Sequence, residues 1–324
     1  QVQQQEQTTS KTKRIRNRGV FHFKHYPIYQ EHCGQKVGTD ALLIAGYTSI
    51  ARFQPKQSLD IGTGSGVLSI MLAQRFNRSV VHSIDIDETA IKQASINIDS
   101  IYNSGQAWAR NIFVFHTPIQ LFAPATQVTA TLEKNSMDCN RELVESHMRP
   151  SDGLYDLIIS APPYFPSDVK LDQFVSAMPD NRRIARHTHT LTMEELVVNV
   201  LRLLRPGTGR FTTIVSLPQP DDDLIIAANN HGMVMLEQVD VTDCPGSKIV
   251  RRMYTFRAPE ETATANETIK QTFAIYETSM KESKQTNHRK HSNQYKWMLN
   301  DFCDHFQKEV QYEQDVSGTI NSSS

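Results

Sequence analysis

The stretch Leu59-Asp60-Ile61-Gly62-Thr63-Gly64-Ser65-Gly66 constrains this chain most, because it sets three glycines between a short strand-like run and the helical run Val67–Phe76. Glycine accepts positive φ and carries no Cβ, so such a turn bends sharply and lets a ligand approach the backbone. The same alternation continues on both sides of it. Ser58–Ile61, Val80–Asp85 and Ile112–His116 read as extended, and Glu88–Ser100 reads as a helix between the last two. After a polar interruption the pattern resumes with an extended Tyr155–Ser160, a helix at Met193–Leu204 closed by Arg205-Pro206-Gly207, and a strand at Arg210–Ser216. Later strands are expected at Met233–Val241, Met253–Phe256 and Thr272–Tyr276, and an amphipathic helix from about Tyr295 to Phe306. This is the βαβ pattern of a parallel sheet with helices on both faces.

The organisation around that core follows from composition. Residues 1–18 are expected to form a disordered arm, since they offer little apolar surface to offset the entropy of ordering. One domain is expected over 19–308, interrupted by a surface insertion at about 123–153 and a polar loop at about 277–292, with a disordered tail at 309–324. Lys and Arg total 34 against 35 Asp and Glu, so the overall charge points to no nucleic-acid partner. The arm differs: Lys11, Lys13, Arg14, Arg16 and Arg18 lie together without an intervening acid, which suits either phosphate tracking or a solvated tail. Cys33, Cys139, Cys244 and Cys303 lack CxxC spacing, so no metal site and no disulfide framework is expected, and the thiols are read as reduced and cytoplasmic. No run approaches the roughly 18 apolar residues of a membrane span, and the Gln-rich start lacks a signal peptide's apolar segment.

Two ligands suit the glycine turn. A dinucleotide would set its pyrophosphate at the helix N-terminus, with an acid on the ribose about 20 residues later; S-adenosylmethionine shares the adenosine and also needs close backbone contact. Asp85 ends the second strand at the right distance for either ribose. The form Asp60-Ile61-Gly62-Thr63-Gly64-Ser65-Gly66 resembles the first motif of class I methyltransferases, which implies a Rossmann-like fold with a mostly parallel seven-stranded sheet, S-adenosyl-L-methionine as cofactor, and Asp60, Gly62, Gly64, Gly66 and Asp85 around it.

A second motif ends the fourth strand. Ala161-Pro162-Pro163-Tyr164 resembles the Asn-Pro-Pro-Tyr active-site motif of methyltransferases that modify planar amino groups, with alanine in the first position. An amino nitrogen on an aromatic ring or amide is a poor nucleophile, because its lone pair is delocalised. Acceptors that hold its hydrogens help it toward tetrahedral geometry as the new bond forms. The resemblance gives one acceptor to the first side chain and the other to the Pro162 carbonyl, which the two prolines hold in place. Tyr164 would stack on the ring. Ala161 cannot accept a hydrogen bond, so an engineered knockout, a pseudoenzyme and an enzyme with another acceptor all stay open.

The block Lys36-Val37-Gly38-Thr39-Asp40, after Phe21-His22-Phe23-Lys24-His25-Tyr26, resembles the N-terminal signature of bacterial methyltransferases that modify adenine 37 of valine tRNA. Ala185-Arg186-His187, Pro245-Gly246-Ser247-Lys248 ahead of Arg251-Arg252, and Tyr295 with Asp301-Phe302 extend it from about Val20 to Gln307. The resemblance implies tRNA as partner and places Lys36, Gly38, Thr39 and Asp40 over the cofactor pocket; on the residues alone, Lys36 also suits a solvated surface and Asp40 a helix N-cap. Lys24, Arg182, Arg183, Arg186 and His187 are the candidate substrate contacts. Where the family places an Asp for the adenine amino group, this chain has Pro118. A glutamine methyltransferase acting on a release factor shares the Pro-Pro-Tyr chemistry, and a weakly catalytic RNA- or cofactor-binding homologue is the third reading. A monomer or weak dimer, with no membrane partner, is expected.

Overall fold

The computed structural model describes residues 19–34, 36–50, 53–123, 154–162, 191–259, 267–286 and 289–303. The basic arm, the tail and nearly all of the 123–153 insertion lie outside the described residues.

A two-stranded antiparallel hairpin, β1 (Val20–His22) with β2 (Pro27–Tyr29), precedes helix α1 (Thr39–Ile50). There follow β3 (Gln57–Ile61), α2 (Val67–Arg75), β4 (Val80–Asp85), α3 (Glu88–Asn103), β5 (Ile112–His116), β6 (Leu157–Ser160), α4 (Met193–Leu203), β7 (Arg210–Ser216), α5 (Gln219–Asn230), β8 (Val234–Thr242), β9 (Ile249–Arg257), β10 (Ile269–Ala274), α6 (Met280–Thr286) and α7 (Asn293–Leu299). Among the described residues, strands β3 to β10 form one sheet in the order β10-β8-β9-β7-β6-β3-β4-β5. Only β9 runs antiparallel to its neighbours, β7 and β8.

The sheet has eight strands where the family resemblance implies seven. The eighth, β10, pairs in parallel with β8 from Ile269↔Glu237 to Ala274↔Thr242. Its sequence, Ile-Lys-Gln-Thr-Phe-Ala, buries only Phe273, so it carries a weak pattern while still covering an open sheet edge. A second correction concerns the polar loop expected at 277–292, which contains α6. Ser279 and Glu282 exchange hydrogen bonds there: the Ser279 amide donates to Glu282 Oε2 at 2.8 Å and the Glu282 amide to Ser279 Oγ at 3.3 Å. That is a capping box, a start signal strong enough to open a helix with no apolar face.

The sheet separates two apolar layers. On one face α1, α2, α3 and α7 bury Leu43, Ile44, Ile70, Met71, Ile101 and Met298 against Ile159 and Ile214. On the other, α4 and α5 bury Leu196, Val200 and Leu224 against Ile158, Phe211 and Phe256. Each fully buried aliphatic side chain of this size contributes about 1.5–3 kcal/mol of transfer free energy. The helices begin where capping dictates: Asp87 Oδ1 accepts the Thr89 amide at 2.8 Å ahead of α3, and Thr192 forms a capping box with Glu195 ahead of α4. None of the described helices is long and apolar enough to cross a membrane.

Candidate active site

Parallel pairing brings three strand ends together. Ile61 lies opposite Ile84 of β4 on one side and Ser160 of β6 on the other, so the turn 62–66 stands between Asp85 and Ala161. Neighbouring strands are about 4.8 Å apart, and ligands of open parallel sheets bind at this carboxyl edge.

The glycines divide into two roles. Gly62, Gly64 and Gly66 have φ of 75°, 56° and 81°. A Cβ at Gly62 or Gly64 would meet no atom within 4 Å, whereas one at Gly66 would lie 3.3 Å from Ala94 Cβ. Gly66 therefore serves helix packing, and Gly62 and Gly64 leave open space where a ligand can approach. The turn is locked to β4: the Gly62 and Thr63 amides donate to the Ile84 carbonyl at 2.9 and 3.1 Å, and the Gly64 amide to Asp85 Oδ2 at 2.9 Å.

Two acids sit behind it. Asp85 also accepts the Asp87 amide, at 2.9 Å, and burial raises its pKa against the lowering effect of these amides. The Ile86 amide bears on it too, and the carboxylate keeps acceptor capacity for a sugar hydroxyl. Asp60 is fully buried, which pushes its carboxyl up to about 6, although Thr63 and Ser69 hydroxyls donate to Oδ2 at 2.8 and 2.7 Å. Its Oδ1 has no hydrogen-bond partner among the described residues. A buried acceptor of this kind calls for a donor, and the ammonium of an amino-acid moiety would supply one.

The segment before α1 stands beside these acids. Cys33 is buried, which pushes its thiol up to about 12, and the charges of Lys36, Asp85 and Asp87 all act on it. Lys36 is exposed, and its Nζ donates to the Gln30 carbonyl. Gly38 and Thr39 are exposed at the start of α1, and the Leu42 amide donates to the Gly38 carbonyl at 3.3 Å. Asp40 gives both carboxylate oxygens to Arg251 Nε, each at 3.1 Å, and so is an ion-pair partner where an N-cap was the alternative.

On the other flank, Ala161 and Pro162 are half-buried, and Ala161 packs against the α1-side core. The hydroxyl beside them is shut off from a substrate, because Ser160 is buried, and its proton goes to the Ile61 carbonyl at 3.0 Å. Pro163, Tyr164, Arg182, Arg183, Arg186 and His187 lie outside the described residues. Lys24 is not at this edge: its amide donates to the Phe302 carbonyl at 2.7 Å, and Phe302 stacks under Arg75 at the far end of α2 from the glycine turn. Pro118, half-buried after β5, offers neither an amide hydrogen nor an acceptor side chain.

Two neighbours were missed from sequence. Ile86 follows Asp85 with 40% exposure and presents an apolar surface beside it; an apolar residue directly after a strand-ending acid was its only signal. Arg251 belongs to β9, opposite Ser216 at the end of β7, and no sequence spacing links it to Asp40.

The open glycine faces, the unsatisfied Asp60 oxygen, Asp85 and Ile86 fit an adenosine carrying an amino-acid moiety, while Pro118 adds nothing to base recognition. Comparisons with known proteins agree. A family model described as ribosomal protein L11 methyltransferase (PrmA) matches residues 39–121, the stretch holding these groups. A crystal structure of a predicted O-methyltransferase from Agrobacterium tumefaciens superposes with a TM-score of 0.53 over 81% of this chain and 96% of that one, at 18% identity, and shows the fold. The tRNA1(Val) (adenine(37)-N6)-methyltransferase of Pseudoalteromonas atlantica is 28% identical over 290 residues, 87% of this chain and 97% of its own. That of Bacteroides fragilis is 32% identical over 237 residues, 73% of this chain and 83% of its own. The chain belongs to the tRNA1(Val) (adenine(37)-N6)-methyltransferase family.

Proposed function

We propose that this protein methylates the exocyclic amino group of an adenine in tRNA, adenine 37 of tRNA1(Val) being the position its relatives are named for. The observation that carries the reading is the pairing Ile61↔Ser160, which sets Ala161-Pro162 beside the open glycine turn. S-adenosylmethionine, when bound, supplies a methyl carbon activated by a sulfonium. The chain's own residues then have positioning roles. Gly62 and Gly64 admit the ligand to the backbone, Asp85 takes ribose hydroxyls, and Asp60 Oδ1 accepts from the ammonium. The Pro162 carbonyl accepts one hydrogen of the adenine amino group and turns its lone pair toward the methyl. The base reaches this position only when splayed out of the anticodon loop, and Tyr164 stacks on it there. Lys36, Gly38 and Thr39 line the cofactor's outer side, and Arg182, Arg183, Arg186 and His187 take the surrounding phosphates. The reaction belongs to the cytoplasm, with the protein a monomer or weak dimer.

Ala161 and Pro118 favour a second reading of the same scaffold, a weakly catalytic homologue that keeps cofactor and RNA binding. Methyl-labelled S-adenosylmethionine, unmodified tRNA1(Val) and a release factor, assayed with the protein and with Ala161→Asn, separate the readings. N6-methyladenosine at position 37 supports the first. Label on tRNA from Ala161→Asn alone supports the second, and label on release-factor glutamine overturns both.

A further inference from the structure

We propose that Arg251 is a positioning residue: through Asp40 it braces the loop of residues 30–34 and 36–40 over the Asp85 end of the cofactor site. The loop's other supports are explicit. Asn97, fully buried on α3, accepts the Tyr29 amide at 2.9 Å and donates to the carbonyls of Tyr29 and Ser65, each at 2.8 Å, joining the loop's start to the glycine turn. Thr89 Oγ1 donates to the His32 carbonyl at 3.2 Å, and the His32 amide donates to Gln93 Oε1 at 3.4 Å. The loop's neck is closed by Gln30, whose Oε1 accepts the Val37 amide at 2.7 Å and whose carbonyl accepts from Lys36. The described supports before Val37 thus come from α3, from the loop itself and from Gly19, whose carbonyl accepts the Gln30 amide at 2.9 Å.

Beyond Val37 the support is of another kind. Residues 38–40 enter α1, and helix first turns fray unless something outside the helix holds them. Here the outside group is Arg251, whose Nε meets both oxygens of Asp40. The guanidinium is itself set in place, since Nη1 donates to the Val250 carbonyl at 2.8 Å. β9 therefore presents a fixed donor to the helix turn that carries the loop's exit. A half-exposed pair of this kind adds little to global stability, so its consequence lies in where the loop sits.

The inference rests on the cofactor reading for what the loop covers, and its first test does not. Amide hydrogen exchange of the full-length protein alone should show Val37 and Leu42 exchanging about tenfold faster in Arg251→Gln and in Asp40→Asn, with amides of β3 and β4 unchanged. S-adenosylhomocysteine, titrated calorimetrically, should bind about fivefold more weakly to both variants. The charge swap, Asp40→Arg with Arg251→Asp, should restore at least half of each change on a logarithmic scale, as expected if the two side chains act as a pair. Wild-type exchange in the single variants overturns the proposal, as does faster exchange with unchanged affinity. Absence of tRNA methylation bears on the proposed function and leaves both readouts standing.

Discussion

Ala161→Asn restores the side-chain acceptor that the Pro-Pro-Tyr chemistry lacks here. By analogy with the loss of one oxyanion-hole donor, a transition-state partner of this kind is worth about 10²–10³ in rate, about 3–4 kcal/mol. Two terms reduce the gain. Fixing the Asn side chain costs about 1 kcal/mol of rotamer freedom, and Ala161 already touches the α1-side core, so fitting two more bonds of side chain costs about 1 kcal/mol more. Ser160 does not compete for the role, because its hydroxyl is buried away from any substrate. The net is about 1–2 kcal/mol, a rate increase of about fivefold to thirtyfold. Single-turnover transfer of labelled methyl to unmodified tRNA1(Val), with cofactor saturating, measures it. Ala161→Leu adds bulk without an acceptor and should gain nothing. An unchanged rate in a folded Ala161→Asn protein that binds S-adenosylhomocysteine normally would show that the acceptor argument is wrong for this chain.

Three further outcomes are expected. Asp60 has an ordinary carboxylate value of 3.8 when unfolded and about 6 in the folded protein, so the folded state holds the extra proton between them, and this group's penalty grows as pH rises from about 4 to about 6. Urea unfolding should therefore find Asp60→Asn gaining stability relative to the native protein by about 2–3 kcal/mol between pH 4 and pH 7; a pH-independent difference would refute the assignment. Gly64→Ala should cost about 1–2 kcal/mol of stability from its positive φ, and should weaken S-adenosylhomocysteine at least about tenfold by filling the open face, both readable in one thermal-shift titration. Changing Arg182, Arg183 and Arg186 together to Ala should weaken tRNA binding and lower the salt slope by about one for each phosphate no longer neutralised, with cofactor affinity unaltered.

The core of the fold was legible because its signals are local. Capped helices alternate with apolar strands, and a glycine turn marks the ligand edge. Strand bounds matched where a strand is buried on both faces, as at Val80–Asp85 and Arg210–Ser216. They were poorer at the sheet's other end: β9 extends to Ile249–Arg257 because Arg251 and Arg252 pair along the ladder despite their charge. Each guanidinium is neutralised there, Arg251 by Asp40 and Arg252 by Asp221 and Asp240. Such compensation joins residues far apart in sequence, and no window of local pattern contains it. The site divides in the same way. Asp60, Asp85 and the glycines follow from one motif, whereas Arg251, Asn97 and the distance of Lys24 from the site depend on tertiary contacts.

The two departures from the family pattern fall where the scaffold is least dependent on side chains. Asp60, Asp85 and the glycine turn are interlocked: the hydroxyls of Thr63 and Ser69 depend on Asp60, and the amides of Gly64 and Asp87 on Asp85. Removing any of these acids strands buried polar groups at about 1–3 kcal/mol apiece, so the fold itself resists the change. Ala161 and Pro118 are half-buried at the rim, and neither side chain has a polar atom on which a neighbour could depend. Substitution at the rim can therefore alter rate and base recognition while leaving stability and cofactor geometry intact. A decisive comparison is between Ala161→Asn and Pro118→Asp. The first should raise the rate of methyl transfer with cofactor affinity unchanged, and the second should tighten S-adenosylhomocysteine with the single-turnover rate unchanged. If Pro118→Asp instead raised the rate at saturating cofactor, the two defects would belong to one catalytic unit, and the separation of rim from scaffold would fail.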